Sequence, residues 1–370
     1  MTTTVAATLC RPSPPEAGWL VIDDGVVVDV GSGTVGAGAG VVDLGDALLV
    51  PGFLDLQVNG VGDVDFAHAD GPAWQRARAA LLHVGTTGFC PTLVTAPLDS
   101  YEPVLTRVAS VRAAGHDGAA ILGVHLEGPF LGAAPGAHPV DLLRPADPAW
   151  LARLLDTHPG LVTVVTLAPE ADRDLAATRL LARRGVVVAL GHSTASYDDA
   201  VAAADAGASV VTHLFNAMGP FHQREPGLIG AALSDPRLTP TLIADLVHVH
   251  PAALRLATAA KRSLALVTDA VAVGAATADT ASPDRDGVPR LPDGTLVGSR
   301  LTLDRAVRNV VGLGVPVERA VEMATTVPAD VLELTDRGRL APGRRADFVA
   351  LDPTTLAVRS VWLDGQRVVG

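Results

Sequence analysis

The chain predicts an α/β fold: a (β/α)8 TIM-like barrel with a small β-sandwich domain built from both chain ends. Three observations predict it. Eight apolar, strand-like runs alternate with helix-like sequence through the middle of the chain, while both termini read as short strands broken by Gly. Acids and histidines stand at the ends of several apolar runs. Residues at the C-terminal ends of successive parallel strands meet at one mouth of a barrel, where such folds keep their chemistry.

Residues 1–48 form the N-terminal part of the small domain. Trp19-Leu20-Val21-Ile22, Val26-Val27-Val28 and Val41-Val42-Asp43-Leu44 are its strands, with a Gly/Ala turn region at Gly31–Gly40. The barrel takes 49–335. Its strands are predicted at Ala47–Val58, Gly85–Val94, Ala119–Glu127, Leu161–Ala168, Val186–His192, Ser209–Phe215, Thr241–Val247 and Leu264–Asp269. Helices at Pro72–His83, Leu98–Ala114, Ala171–Arg184 and Tyr197–Ala206 lie between them. Such near-continuous apolar strands are expected where both faces of a parallel sheet are covered. Gly274–Pro292, rich in Ala, Asp, Pro and Thr, reads as a loop. Residues 336–370 complete the small domain through Ala346–Leu351 and Ser360–Leu363, and Asp364-Gly365 before Gln366 marks a hairpin. No Gly-x-Gly-x-x-Gly follows a strand, so a dinucleotide fold has no support.

With 370 residues, 48% of them hydrophobic, the chain has enough length for a barrel of roughly 250 residues and an appended unit. No apolar run approaches the ~20 residues of a membrane span, and Met1-Thr2-Thr3-Thr4 does not open a secretory signal. A cytoplasmic protein without a membrane partner is expected. The net charge of −12 argues against nucleic acid but leaves room for a phosphorylated small molecule in a local cationic pocket. Cys10 and Cys90 read as buried small apolar residues. Lys261 is the only Lys, against 27 Arg, and it lies in a helix-like stretch where no carbamylated lysine bridging two metals is expected.

The chemistry concentrates in four segments: His125-Leu126-Glu127-Gly128-Pro129, Gly191-His192-Ser193, Thr212-His213-Leu214-Phe215-Asn216 and Val267-Thr268-Asp269. Glu127, His192 and His213 end the third, fifth and sixth predicted strands. One carboxylate and two imidazoles are a catalytic metal set that leaves a position open. Asp269 ends the eighth, where a carboxylate can take a proton from water and return it to a leaving group. The first strand offers Gln57 and Asn59 where many metal hydrolases of this architecture carry His-x-His. Amides are poor zinc ligands, so one divalent ion per subunit is expected: zinc first, with Fe, Co or Mn acceptable to the same donors. Gln57 is left to orient substrate or water.

At these residues the chain resembles the N-acetylglucosamine-6-phosphate deacetylases of the amidohydrolase superfamily, over nearly its whole length. The resembling segments include Pro51-Gly52-Phe53-Leu54-Asp55, His125–Phe130, Gly136-Ala137-His138, Thr212–Met218, Arg224-Glu225-Pro226-Gly227 and Val267–Ala270. The string His-Leu-Phe-Asn-Ala-Met followed by Arg-Glu-Pro-Gly is the most specific. The resemblance implies metal binding by Glu127, His192 and His213, with Asp269 as general acid/base. It implies that His138 helps hold the acetamido carbonyl, with Gln57 nearby, and that Asn216 and Ala217 bond near the phosphate. Arg224 and His248 would be the phosphate-binding cations, in a pocket that a homodimer can share. The implied reaction converts N-acetyl-D-glucosamine 6-phosphate to D-glucosamine 6-phosphate and acetate. A related substrate such as the galactosamine epimer is the alternative, and a non-catalytic sugar-phosphate-binding protein a more distant one. Two departures bear on specificity: Leu246 replaces a glycine common in the family, and Arg300 a small residue.

Overall fold

The computed structural model describes residues 2–11, 13–36, 38–115, 118–273, 282–283 and 287–370; 274–281 and 284–286 of the predicted 274–292 loop fall outside that set. Eight parallel strands follow one another around the barrel: Phe53–Val58, Thr86–Val94, Val124–Glu127, Val162–Leu167, Val187–Leu190, Ala208–Val211, Thr239–Ile243 and Ala265–Val267. All are almost wholly buried, as strands covered on both faces must be. Helices start where the sequence satisfies their free N–H groups. Asp147 caps Pro148–Thr157 by accepting from Ala149 and Trp150 N–H, and Ser196 with Asp199 forms a capping box on Tyr197–Asp205.

The terminal strands form one mixed seven-stranded sheet in the order Gln366–Val369, Val358–Leu363, Phe348–Leu351, Val41–Pro51, Thr3–Arg11, Ser13–Asp23, Val26–Ser32. This sheet has its own apolar cluster, including Val5, Leu9, Leu20, Leu49, Phe348 and Trp362. The strand Thr3–Arg11, not anticipated from the sequence, buries Val5, Ala7 and Leu9 on alternate positions, the period-2 signature of a half-buried strand. The Asp364-Gly365 turn takes positive φ at both residues (48° and 73°), as a tight hairpin requires.

One predicted strand is corrected. The run Ala47–Val58 is divided between the two units: Val41–Pro51 pairs with Phe348–Leu351 in the terminal sheet, and Phe53–Val58 opens the barrel. The chain changes sheet at Gly52, where a Cβ would stand 2.1 Å from Thr87 Oγ1. The chain therefore passes from the terminal sheet to the barrel after Pro51. A continuous apolar run cannot reveal the break, because both units bury it.

The barrel closes between its eighth and first strands by side-chain and loop contacts instead of a regular ladder. Asp55 Oδ2 accepts from the Thr268 hydroxyl at 2.6 Å, and its Oδ1 accepts from Thr268 N–H and Gln57 N–H at 3.2 Å. Asp269 N–H donates to the Gln57 carbonyl at 2.8 Å. Among the described residues no helix is long and apolar enough to cross a membrane.

Candidate metal centre and cavity

Glu127 is the last residue of the third barrel strand, and His192 and His213 follow the fifth and sixth. His192 and His213 hold positive φ (50° and 32°). Non-glycine residues pay steric strain in that region, and it collects at functional sites. The three side chains converge. Glu127 Oε1 lies 3.1 Å from His192 Nε2 and 3.0 Å from His213 Nε2, and the two Nε2 atoms are 3.0 Å apart. His192 Nδ1 lies 3.1 Å from the Pro135 carbonyl. That oxygen can only accept, so Nδ1 carries the hydrogen and the Nε2 lone pair faces the centre. Two imidazole nitrogens and a carboxylate oxygen turned toward one point, all buried, fit a divalent cation such as zinc.

Asp269 follows the eighth strand with φ 48°. Its Oδ1 accepts from Asn59 Nδ2 at 2.7 Å and from Gln57 Nε2 at 3.3 Å, and the same Gln57 nitrogen donates to Glu127 Oε1 at 2.8 Å. Gln57 of the first strand thus ties the two carboxylates together, and Asn59 just beyond that strand holds Asp269. Burial, reinforced by the Glu127 charge, pushes the Asp269 carboxyl up to about 6. Burial would likewise raise Glu127, but the hydrogen bonds and charges of His192 and His213 hold it well below its ordinary value. His138, buried beside His192 with ring centroids 4.4 Å apart, is pushed down to about 3 by burial and is neutral at pH 7. The two carboxylates thus stand in unlike environments, one raised and one lowered.

Residues 48–368 match the model of the amidohydrolase family. The chain belongs to that family. Among curated relatives, this amidohydrolase is 42% identical to N-acetylglucosamine-6-phosphate deacetylase of Bos taurus over 348 residues, covering 88% of this chain and 84% of that protein. It is 38% identical to N-acetylgalactosamine-6-phosphate deacetylase of Escherichia coli O157:H7 over 372 residues, covering 95% and 96% of the two chains. Among solved structures it matches an aspartate-to-alanine mutant of the Mycobacterium smegmatis N-acetyl-D-glucosamine-6-phosphate deacetylase in complex with N-acetyl-D-glucosamine-6-phosphate. That match has a TM-score of 0.90 and 38% identity over the whole of both chains.

A cavity of about 620 Å³ opens over this centre in the amidohydrolase, a size suited to a small-molecule ligand. Asn59, Glu127, His138, His192, His213 and Asp269 line it, as do Asn216, Ala217 and His248. Asn216 is tied to its own loop through Nδ2 to the His213 carbonyl at 3.1 Å. His248 is held by Asp245, whose Oδ2 lies 2.7 Å from its Nδ1. Asp245 Oδ1 accepts from the Val247 and His248 N–H groups. Burial opposes ionisation of Asp245, yet the His248 contact and these bonds lower it below its ordinary value.

Gln57 is 1% exposed and is not among the residues lining the cavity; its amide nitrogen contacts Glu127 and Asp269. Arg224 is exposed and is not among the residues lining the cavity. Three contributors were not singled out from the sequence as site residues: Asn59, which holds Asp269; Thr95, which contacts His138; and Asp245. Thr95 follows the second barrel strand directly, so the strand-end rule that found the others applies to it too. Leu246 takes φ +70° while 39% exposed, a conformation that favours glycine. Arg300 is exposed and outside the cavity wall.

Proposed function

We propose that this amidohydrolase hydrolyses N-acetyl-D-glucosamine 6-phosphate to D-glucosamine 6-phosphate and acetate. The observation that carries the reading is the meeting of the Glu127, His192 and His213 donor atoms with Asp269 in one cavity. Relatives named for this reaction align over most of the chain.

Glu127, His192 and His213 would hold one divalent ion, zinc first, which when bound polarises a carbonyl and lowers the pKa of water. Asp269 takes the proton of the attacking water at Oδ2, because both amide donors sit on Oδ1. It then delivers that proton to the departing nitrogen, so the C–N bond breaks to a neutral amine. His138 faces the acetamide oxygen and stabilises the charge that develops there. Asn216, Ala217 and His248 bind the sugar phosphate. In a homodimer the exposed Arg224 would reach the phosphate in the partner's cavity, giving a permanent charge and forked donors. A charged sugar phosphate does not cross membranes unaided, which favours a cytoplasmic enzyme.

The galactosamine epimer is a second reading, favoured by the fuller coverage of the Escherichia coli relative. The test is acetate release by metal-reconstituted protein from N-acetylglucosamine 6-phosphate, N-acetylgalactosamine 6-phosphate and unphosphorylated N-acetylglucosamine. Turnover on the first compound well above the other two is expected. Faster turnover on the galactosamine compound would transfer the assignment, and none on any would sink both.

A further inference from the structure

We propose that Thr95 is a positioning residue that holds His138 in its Nε2–H tautomer, so that a neutral imidazole presents a hydrogen to the acetamide oxygen of the substrate. The inference rests on the deacetylation reading above. Thr95 and His138 both line the cavity. The Thr95 backbone N–H donates to His138 Nδ1 at 3.3 Å, and the Thr95 hydroxyl oxygen lies 2.8 Å from that same atom. A main-chain N–H has no role but donor. The nitrogen that receives it must carry a lone pair, and the single hydrogen of the neutral ring is then on Nε2. With Nδ1 accepting, the hydroxyl points its own hydrogen at the same lone pair.

The surroundings agree with a neutral donor. The ring is buried against His192, and the carboxylate facing it, Glu127, keeps Oε2 3.9 Å from Nε2. That separation is too long for a hydrogen bond, so among the described residues the Nε2 hydrogen is left for a ligand. Room for the Thr95 hydroxyl depends on Gly128, where a Cβ would stand 2.3 Å from Oγ1 and where φ is +88°. During the reaction His138 keeps its proton. The water oxygen bonds to the carbonyl carbon, the C–N bond breaks, and the transferred proton travels through Asp269. His138 contributes by hydrogen bonding to the oxygen as charge grows on it, an interaction that strengthens only toward the transition state.

The experiment uses the zinc-loaded full chain. Histidine ¹⁵N NMR of the wild type, with His138→Gln to assign the signal, should show His138 protonated at Nε2 and accepting at Nδ1. Thr95→Val keeps the main-chain donor and removes the hydroxyl, so it should shift the His138 Nδ1 signal and lower kcat about 10- to 100-fold with KM within about twofold, while Thr95→Ser stays within about threefold of wild type. Protonation at Nδ1 in the wild type would overturn the proposal. So would Thr95→Val with unchanged kcat, or with reduced kcat and an unaltered His138 signal. Should Thr95→Val not fold, the wild-type spectrum and Thr95→Ser still decide. The NMR readout needs no substrate, so a protein that turns over none of the sugars fails the deacetylation reading separately from the tautomer.

Discussion

Asp55 offers a way to measure what the barrel seam costs as pH changes. Its side chain is wholly buried and accepts three hydrogen bonds, all from neutral groups on Thr268 and Gln57. Burial therefore outweighs these bonds and pushes the carboxyl from 3.8 up to about 7. Between those values the folded protein binds a proton that the unfolded chain has released. Stability from this group is thus fully present below pH 3.8 and is lost as pH rises toward 7. The rise corresponds to about 4 kcal/mol, of which roughly 2 to 3 kcal/mol falls between pH 5 and pH 8. Asp55→Asn removes the titration and can keep the bonding. Its carbonyl replaces Oδ1 opposite the Thr268 and Gln57 N–H groups, and its amide replaces Oδ2. The Thr268 hydroxyl then turns to the Gln57 carbonyl, already 3.3 Å away. Urea unfolding of both proteins from pH 5 to pH 8 should show the variant gaining on the wild type by that roughly 2 to 3 kcal/mol. A difference that stays constant over the range would refute the reasoning.

Asp269→Asn should keep one equivalent of metal by elemental analysis while kcat falls about 10²- to 10⁴-fold; near wild-type turnover would remove Asp269 from the proton path. Chelation should abolish acetate release and lower Tm, and zinc should restore both, with about 2.7 kcal/mol of stabilisation at metal 100-fold above Kd. Gln57→Leu should weaken metal binding about 10- to 100-fold in a competitive chelator titration, because Glu127 loses its orienting donor. Arg224→Ala should cut kcat/KM about 10- to 100-fold on the phosphorylated sugar and leave the unphosphorylated one unchanged; equal losses on both would place Arg224 away from the phosphate.

The strand-end residues Glu127, His192, His213 and Asp269 were legible because each closes an apolar run, and a parallel barrel sends every such end to the same mouth. The eight strands themselves were legible for the same reason, burial on both faces leaving runs of Val, Ile, Leu and Ala. Legibility failed where one local pattern serves two environments. Ala47–Val58 reads as a single strand, yet Gly52 lets the chain pass from the terminal sheet to the barrel beneath Thr87. Gln57 stands as a lone amide in the first strand, and its partners Glu127 and Asp269 come from distant strands that local sequence cannot place.

By itself the sequence determined which residue types stand at which strand ends, and with them the barrel, the donor set of one carboxylate and two imidazoles, and the family. The tertiary structure alone decided the partners of those residues: Asn59 and Gln57 on one oxygen of Asp269, Thr95 on His138, Asp245 on His248, and Arg224 outside its own cavity. The physical reason is range. Strand formation and burial follow from local periodicity, whereas a hydrogen bond between side chains many residues apart depends on distances of a few tenths of an ångström that exist only once the barrel has closed.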